Sequence, residues 1–444
     1  MLVLLVGWTL FVFAHSYLLT LVPLACGVVL LVLIRRPSIG RGSNRLLDLT
    51  LLLSLVAIGL QLVPLPAGLR GRVSPAAVAY DRAMRVGADA GVERPLSLDP
   101  SASLLALAGV AAMVLLFWCV RTMFQRGSVR ATIRAVVWMG IVVSPLAIIQ
   151  HLIPLPIIDA AWSTTELGLR PYGPFVNRND FAGWLIMALP LTLGYAVGRM
   201  QSRHRPGDSF NLEDALDSKS LWLVLALCLM LAGLLFSQSR SGLLGAIASF
   251  LYLGWLSRRR LTLKRAAWAI AGLGVMLGVA ATFADIGALS MRAQSSVSEG
   301  LAGRSSIWRQ SFPAIRDFWL VGAGAGTYQS LMVHYQTSSR LFHLSHADNE
   351  LLQIAAEGGL LLGLPAALTL LAGVRLAARR LREDRTPIFW LRAGASAGVL
   401  ALFTQNMVEM TVRVPANAVL FAILAAVLLH DTSPSGGHEV PRIL

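Results

Sequence analysis

The stretch SLLALAGVAAMVLLFWCV, residues 103–120, runs for 18 residues without a charged side chain. A helix of about 20 apolar residues crosses the hydrocarbon core of a bilayer. The first 34 residues hold one long helix or, with a break at His15-Ser16, two helices near 2–14 and 17–34. The other apolar runs lie near 47–64, 132–152, 179–198, 220–236, 241–256, 266–286, 347–374, 388–409 and 414–430. The sequence therefore predicts an all-α, polytopic integral membrane protein with about 12 transmembrane helices, or about 11 if the first stretch is one helix.

The composition of the whole chain agrees with this class. Of 444 residues, 56% are hydrophobic and 14% are charged, and the mean hydropathy is +0.66. Soluble domains carry about 25% charged residues. The net charge of +15 comes from short basic loops between apolar runs, which favours the positive-inside rule over nucleic-acid binding. The three cysteines each lie within an apolar run, which indicates packing residues rather than disulfides or a metal site.

The basic loops also predict an orientation. They alternate along the chain, so we place them in the cytoplasm and the loops between them outside, which is the periplasm of a Gram-negative bacterium. The predicted organisation begins with N-terminal helices at 1–152, which include an outer loop at 65–101, and central helices at 153–286. A long outer loop at 287–345, C-terminal helices at 346–430 and a cytoplasmic tail at 431–444 follow.

The segment HLSHADNELLQIAAEGG, residues 343–359, places polar groups at the predicted outer mouth of a membrane helix. Ser345 is the expected helix cap. The polar residues share one helical face and would continue about 16 Å below His346. They are His346, Asn349, Glu350, Gln353 and Glu357. Such a stripe should line a wet cavity or form an interhelical hydrogen-bond network. We favour chemistry for His346, whose ring Glu350 would orient, and leave the two deepest residues as a wall or network.

Two further polar groups lie on the same predicted face. GPFVNRNDFAG, residues 173–183, opens a helix with Asn177, Arg178, Asn179 and Asp180, which suits either an anion or an elaborate cap. FSQSRSGLL, residues 236–244, is a short tip that we expect at or below the membrane surface. A buried Arg240 there would need a carboxylate or phosphate partner, and the alternative is an arginine that reaches the surface.

The long outer loop adds arginines and aromatic side chains. Residues 304–317 carry Arg304 and Arg309 and predict an amphipathic helix lying on the membrane. Arginine suits a diphosphate and aromatic rings suit sugars, although an interfacial aromatic belt is the alternative. GAGAG, residues 322–326, does not follow the nucleotide-binding loop pattern, and we interpret it as a flexible turn.

These motifs occur in a fixed order: NRNDFAG, SRSG, R-x-x-x-W, GAGAGTY and H-x-D-N-E-x-L-Q-x-x-A-E-x-G. In that order they resemble the O-antigen ligase and O-antigen polymerase superfamily over residues 170–375. The resemblance implies a GT-C-like helical glycosyltransferase that inverts the anomeric centre and uses no metal, nucleotide or other cofactor. It implies a donor glycan on undecaprenyl diphosphate, an active site facing the periplasm, and a location in the inner membrane.

The resemblance also implies roles for residues. Arg240 and Arg304 would bind the diphosphate, and His346 would act at the acceptor hydroxyl. The remaining polar residues of the motifs would contact substrate; they are Asn177, Arg178, Asn179, Asp180, Arg309, Asn349 and Glu350. The acceptor would be lipid A-core for a ligase or a second lipid-linked glycan for a polymerase, with a chain-length regulator as a further candidate partner. We lean to the polymerase branch over the ligase. Protein O-oligosaccharyltransferase and a lipid-linked sugar flippase remain as alternatives.

Overall fold

The structure is a computed structural model that describes residues 1–11, 17–37, 39–40, 44–84, 93–125, 129–153, 171–203, 218–258, 260, 303–338 and 343–431. Within these ranges the chain forms helices and two isolated β-bridges, without a β-strand. The helices are α1 Leu2–Phe11, α2 Tyr17–Arg35, α3 Arg45–Gln61, α4 Ala67–Val73, α5 Pro75–Ala83, α6 Pro100–Gln125, α7 Val129–Leu152, α8 Arg178–Arg203, α9 Ser218–Phe236, α10 Arg240–Ser257, α11 303–317, α12 Tyr328–Tyr335, α13 Glu350–Glu383, α14 Ile388–Gln405, a 3-10 turn Thr411–Arg413, and α15 Pro415–Leu429.

The apolar runs predicted from the sequence overlap these helices wherever the chain is described, although several helix ends differ by a few residues. Five of the described helices are long and apolar enough to cross a membrane, and four shorter ones are apolar. The chain is thus all-helical in its described part, as expected of a multi-pass membrane protein, while the total of about 12 helices and the GT-C-like architecture stay predictions. The predicted helix 266–286, the break at His15-Ser16 and residues 154–170, 287–302 and 432–444 lie outside the described residues.

Helix α8 lies inside the bundle and is buried along most of its length. It packs on α14 at Gly194 and Gly394, where a Cβ on either glycine would collide with a carbonyl oxygen of the other helix. Small residues allow membrane helices to approach this closely. In contrast, α13 exposes Leu360, Leu364 and Leu371, as a lipid-facing helix does. The first turn of α8, which carries Asn179, therefore belongs to a helix that is packed closely on α14 and buried along most of its length.

The outer loops that the sequence predicted separately pack together as one lobe at one end of the bundle. Helices α5, α11 and α12 share a small apolar core with the segment that leads into α13, and Phe318 and Tyr328 are its largest buried side chains. The Leu98 N–H donates to the Ala323 carbonyl at 2.8 Å, and the Tyr80 hydroxyl donates to the Ser330 carbonyl at 2.7 Å. This lobe covers the ends of the helices that carry the predicted site residues.

The glycine-rich segment 322–326 is docked into a break in α13. Gly359 adopts φ 53° and ψ −150°, which interrupts the helix. The Leu360 N–H instead donates to the Trp319 carbonyl at 2.8 Å, and the Gly324 N–H donates to the Glu357 carbonyl at 2.9 Å. The buried side-chain amide of Gln61 donates to the Glu357 carbonyl at 2.9 Å. These contacts satisfy backbone groups that the break would otherwise leave unpaired.

The prediction of a flexible turn at residues 322–326 was therefore wrong. Gly322, Gly324 and Gly326 have φ values of 73°, 114° and 78°, a region that favours glycine. A Cβ on Gly322 would collide with the Glu357 carbonyl. The glycines provide the close approach to α13 rather than mobility.

At the opposite end of the bundle, Asp48 and Arg121 form a buried ion pair between α3 and α6. Their side chains are 1% and 2% exposed, and the guanidinium donates to both carboxylate oxygens at 2.7 and 2.8 Å. The Asp48 carboxylate also accepts from the Trp118 indole N–H at 2.9 Å and from the Gly40 N–H at 2.8 Å. A buried pair with this many hydrogen bonds is costly to break from one side.

We expect Asp48→Ala to lower the free energy of unfolding by about 3–5 kcal/mol, because it leaves the Arg121 charge buried without its carboxylate. The measurement is the thermal unfolding midpoint of the purified protein in detergent. Glu383→Ala is the matched control, since its ion pair with Arg379 is more than half exposed and should contribute only about 0.3–0.5 kcal/mol. Equal midpoints for the two variants would contradict this prediction.

Candidate active site

Four side chains from separate segments form a continuous polar chain at the end of the bundle that carries the outer lobe. The Ser239 hydroxyl donates to the Asn179 side-chain carbonyl at 2.7 Å, and the Asn179 amide donates to a Glu409 carboxylate oxygen at 2.8 Å. The same Glu409 oxygen is bonded to the Arg304 guanidinium in an ion pair. The structure thus brings together three of the predicted motifs, and it adds Glu409, which the sequence analysis missed.

The first turn of α8 explains how Asn179 reaches this chain. The Asn177 side chain accepts from the Asn179 N–H at 2.9 Å, which caps the helix. Gln405 and Asn417 donate to the carbonyl oxygens of Asn179 and Asp180 at 2.9 and 3.0 Å. The predicted set is therefore divided: Asn177 shapes the helix start and Asn179 joins the polar chain, while the side chain of Arg178 is exposed.

The tip between α9 and α10 has its serines inside and Arg240 outside. Ser239 caps α10 by accepting from the Gly242 N–H at 3.2 Å, and Ser237, Ser239 and Ser241 are buried. This geometry turns the side chain of Arg240 outward, where it is exposed. Arg240 is therefore on the surface of the protein, because the serines rather than the arginine fill the interior of the turn.

His346 lies in an irregular segment that leads from the lobe into α13. Its ring is exposed, and its Nδ1 is 2.8 Å from the Ser345 hydroxyl oxygen. The Trp308 indole N–H donates to the Ala347 carbonyl at 3.0 Å, which holds the segment against α11. Partial desolvation by the surrounding protein and the positive charge of Arg413 lower the pKa of His346. The ring is thus reachable from solvent and favours its neutral form.

Helix α13 begins later than the sequence predicted. Asn349, not Ser345, is the cap, and its side-chain oxygen accepts from the N–H groups of Leu351 and Leu352 at 3.0 and 3.1 Å. Asp348 has φ 48°, so the chain turns sharply before the helix starts. His346 therefore lies outside the helix, and the estimate of a stripe running about 16 Å below it was wrong. Asn349 also donates to the Met407 carbonyl at 2.8 Å, a contact that fixes α13 to the end of α14.

Asp348, two residues after His346, lies within electrostatic range of both predicted catalytic groups. Burial raises the pKa of its carboxyl group, whereas the charges of Arg304 and His346 lower that pKa. These two residues, from α11 and from the segment before α13, are thus close enough to the same carboxylate for their charges to influence it. The contact of Trp308, one turn after Arg304 on α11, with the carbonyl of Ala347, next to His346, holds these two segments side by side.

The deeper polar residues of α13 form an interhelical network around Arg413, which the sequence analysis did not single out. Arg413 donates to Glu350 at 3.0 Å and to Glu357 at 3.1 Å, and Gln353 donates to the other Glu357 oxygen at 2.8 Å. Glu350 is therefore bonded to Arg413, and its predicted contact with the ring of His346 is absent from the described contacts. The network interpretation holds for Gln353 and Glu357.

Two further expectations concern groups outside this cluster. The side chain of Arg309 is exposed, and its described contact is with the Ser305 carbonyl of its own helix at 3.3 Å. The structure does not join Arg309 to Glu409 or His346 within the described contacts. In the same described ranges, no three His, Cys, Asp or Glu side chains come together as a candidate metal site. The expectation of metal-independent chemistry stays a prediction.

Comparison with known proteins tests the resemblance that the ordered motifs indicated. No curated protein matches the chain. A family model described as O-antigen ligase matches residues 225–367. The matched segment contains Arg240, Arg304, the glycine-rich segment 322–326 and His346, whereas Asn179 and Glu409 lie outside it. The match over residues 225–367 supports the O-antigen ligase and polymerase superfamily that the motifs predicted.

Proposed function

We propose that this protein is a membrane glycosyltransferase that transfers or polymerises a glycan carried on undecaprenyl diphosphate. It works at the periplasmic face of the inner membrane. The observation that supports the proposal is the hydrogen bond from the Trp308 indole to the Ala347 carbonyl, which joins the helix of Arg304 to the segment of His346. A cation and a neutral imidazole at one site match the two charge changes of glycosyl transfer, namely the negative leaving group and the proton of the acceptor.

The proposed reaction is a single inverting displacement. The acceptor hydroxyl oxygen bonds to the anomeric carbon while the bond from that carbon to the diphosphate oxygen breaks. The leaving undecaprenyl diphosphate keeps the electron pair, and Arg304 stabilises its growing charge. Arg240, exposed at the start of α10, is the second candidate for this contact. Arginines of this chain thus supply the positive charge that the leaving diphosphate requires.

His346 accepts the proton of the attacking hydroxyl. Its Nδ1 faces the Ser345 hydroxyl at 2.8 Å. If Nδ1 carries the hydrogen and donates to Ser345, then Nε2 has the free electron pair needed for a base. The exposed position of the ring allows a large glycan acceptor to reach Nε2. Ser345 would in this way select the reactive tautomer.

Incubation of the purified protein with an undecaprenyl-diphosphate-linked repeat, with and without lipid A-core, tests the proposal. A ladder of glycan lengths on undecaprenyl identifies a polymerase, which we favour. Product found only on lipid A-core identifies a ligase, and product on an added protein acceptor identifies a protein O-oligosaccharyltransferase. Unchanged donor that has crossed to the opposite leaflet of a vesicle would replace the proposal with a flippase.

A further inference from the structure

The cation proposed to bind the diphosphate already has a carboxylate partner. Arg304 and Glu409 form an ion pair in which the side chains are 27% and 9% exposed. Asn179 holds the same carboxylate oxygen at 2.8 Å, and Ser239 holds Asn179. A diphosphate that approaches Arg304 therefore meets a fixed negative charge on the guanidinium it must bind.

The charges of the donor make this arrangement unstable once the donor arrives. A diphosphate linked at both ends, to a prenyl chain and to a sugar, carries two negative charges near neutral pH. Like charges this close in a partly buried site repel each other strongly. The repulsion is removed if Glu409 gives up Arg304 and becomes neutral.

We infer that Glu409 is an exchangeable counter-ion: it holds Arg304 in the free site, releases that guanidinium to the diphosphate, and takes up one proton from water in the exchange. This inference rests on the proposed function, because it requires that Arg304 bind the diphosphate. Glu409 is here a positioning residue, since it acts through Arg304 and not on the reacting atoms.

The surroundings of Glu409 are suited to this exchange. Burial raises its pKa to about 7, the charge of Arg304 lowers it, and the charge of Asp348 raises it. Withdrawing Arg304 removes the largest interaction that favours the charged form, so the pKa rises further in the bound state. The charged groups that face Glu409 are Arg304 from α11, Asp348 from the segment before α13, and Arg178 and Asp180 from α8.

The affinity for the diphosphate should fall as pH rises, because Glu409 differs in protonation between the free and the bound site. Below about pH 7 Glu409 is already protonated in the free site, so binding takes up no proton there. Above that pH the free site has lost the proton that the bound site retains, so affinity falls by about tenfold per pH unit. The pKa of His346 is lowered from its usual range, which separates the titration of the ring from this window.

The test uses the full protein in lipid nanodiscs and a short-chain polyprenyl diphosphate-linked glycan, whose two strongly acidic diphosphate hydroxyls stay ionised throughout the titration. We expect the wild-type dissociation constant to rise about tenfold per pH unit above pH 7. Glu409→Gln copies the protonated side chain, so its dissociation constant should be flat over this range and about tenfold lower than wild type at pH 8. Glu383→Gln is the matched control, because it makes the same substitution at an exposed carboxylate that pairs with Arg379 and not with Arg304, and it should keep the wild-type slope.

Proton uptake by the wild-type protein provides a second measurement that needs no variant. Calorimetric titration of the probe at pH 8, in two buffers of different ionisation enthalpy, should show uptake of close to one proton. Binding that depends on Arg304 but has no proton uptake and an unchanged slope in Glu409→Gln overturns the counter-ion inference alone. Absence of probe binding at every pH overturns the proposed function together with it.

Discussion

Glycan transfer by the Arg304→Ala variant is expected to fall by about 10²–10³-fold in kcat, the cost of removing one group that stabilises charge in a transition state. The guanidinium lies at the mouth of the site, held by Glu409. Alanine removes the positive charge and also leaves the Glu409 carboxylate without its ion-pair partner. The measurement is the initial rate of transfer from saturating lipid-linked donor, normalised to the amount of folded protein in the membrane.

Two variants make this result specific. Arg316→Ala removes an exposed arginine from the same helix and should leave the rate unchanged, which controls for net charge. Arg304→Lys keeps the charge but loses the planar, two-pronged donor, so its rate should lie between those of wild type and alanine. A normal kcat for Arg304→Ala at normal protein level would contradict the role of Arg304 at the leaving group.

The helical architecture was predictable from the sequence because apolar length is a local signal. Residues 103–120 require burial in lipid whatever the rest of the chain does, and they lie within α6. The polar starts of helices were also visible, since four polar residues at 177–180 exceed what a cap needs. In both cases neighbouring residues in the sequence contain the whole pattern.

The residues that complete the site were not predictable in this way. Glu409 and Arg413 are ordinary charged residues near the end of an apolar run, and only the fold brings them to Arg304 and to Glu357. Their partners lie 105 and 56 positions away along the chain. A short loop between α14 and α15 that carries two opposite charges was the one available signal, since charges at a membrane helix end require partners.

The start of α13 shows where periodicity misleads. The spacing from His346 to Glu357 fits a helical face, but Asp348 takes a left-handed conformation and separates the histidine from the helix. The Asn349 cap, invisible to a count of helical positions, decides where the regular face begins. The histidine is consequently on an exposed segment, where an acceptor can reach it, rather than inside a polar stripe.

The His346→Ala variant should lose about 10²–10⁴-fold in kcat, the usual contribution of a general base. The pH profile of kcat at saturating donor gives the sharper expectation. The base must be neutral, and the pKa of His346 is lowered by desolvation and by Arg413. The wild-type rate should therefore rise as pH increases through this lowered pKa and reach a plateau by neutral pH. Saturating donor separates this limb from any change in donor affinity.

His343→Ala is the matched control for this prediction, because His343 is an exposed histidine on the same segment and the proposed mechanism gives it no role. Its rate and pH profile should equal those of wild type. In His346→Ala the rising limb should disappear along with most of the rate, because the group that titrates has been removed. Persistence of that limb in His346→Ala would mean that another group accepts the proton. Since Asp348 lies within electrostatic reach of His346 and has a raised pKa, it would then be the base to test.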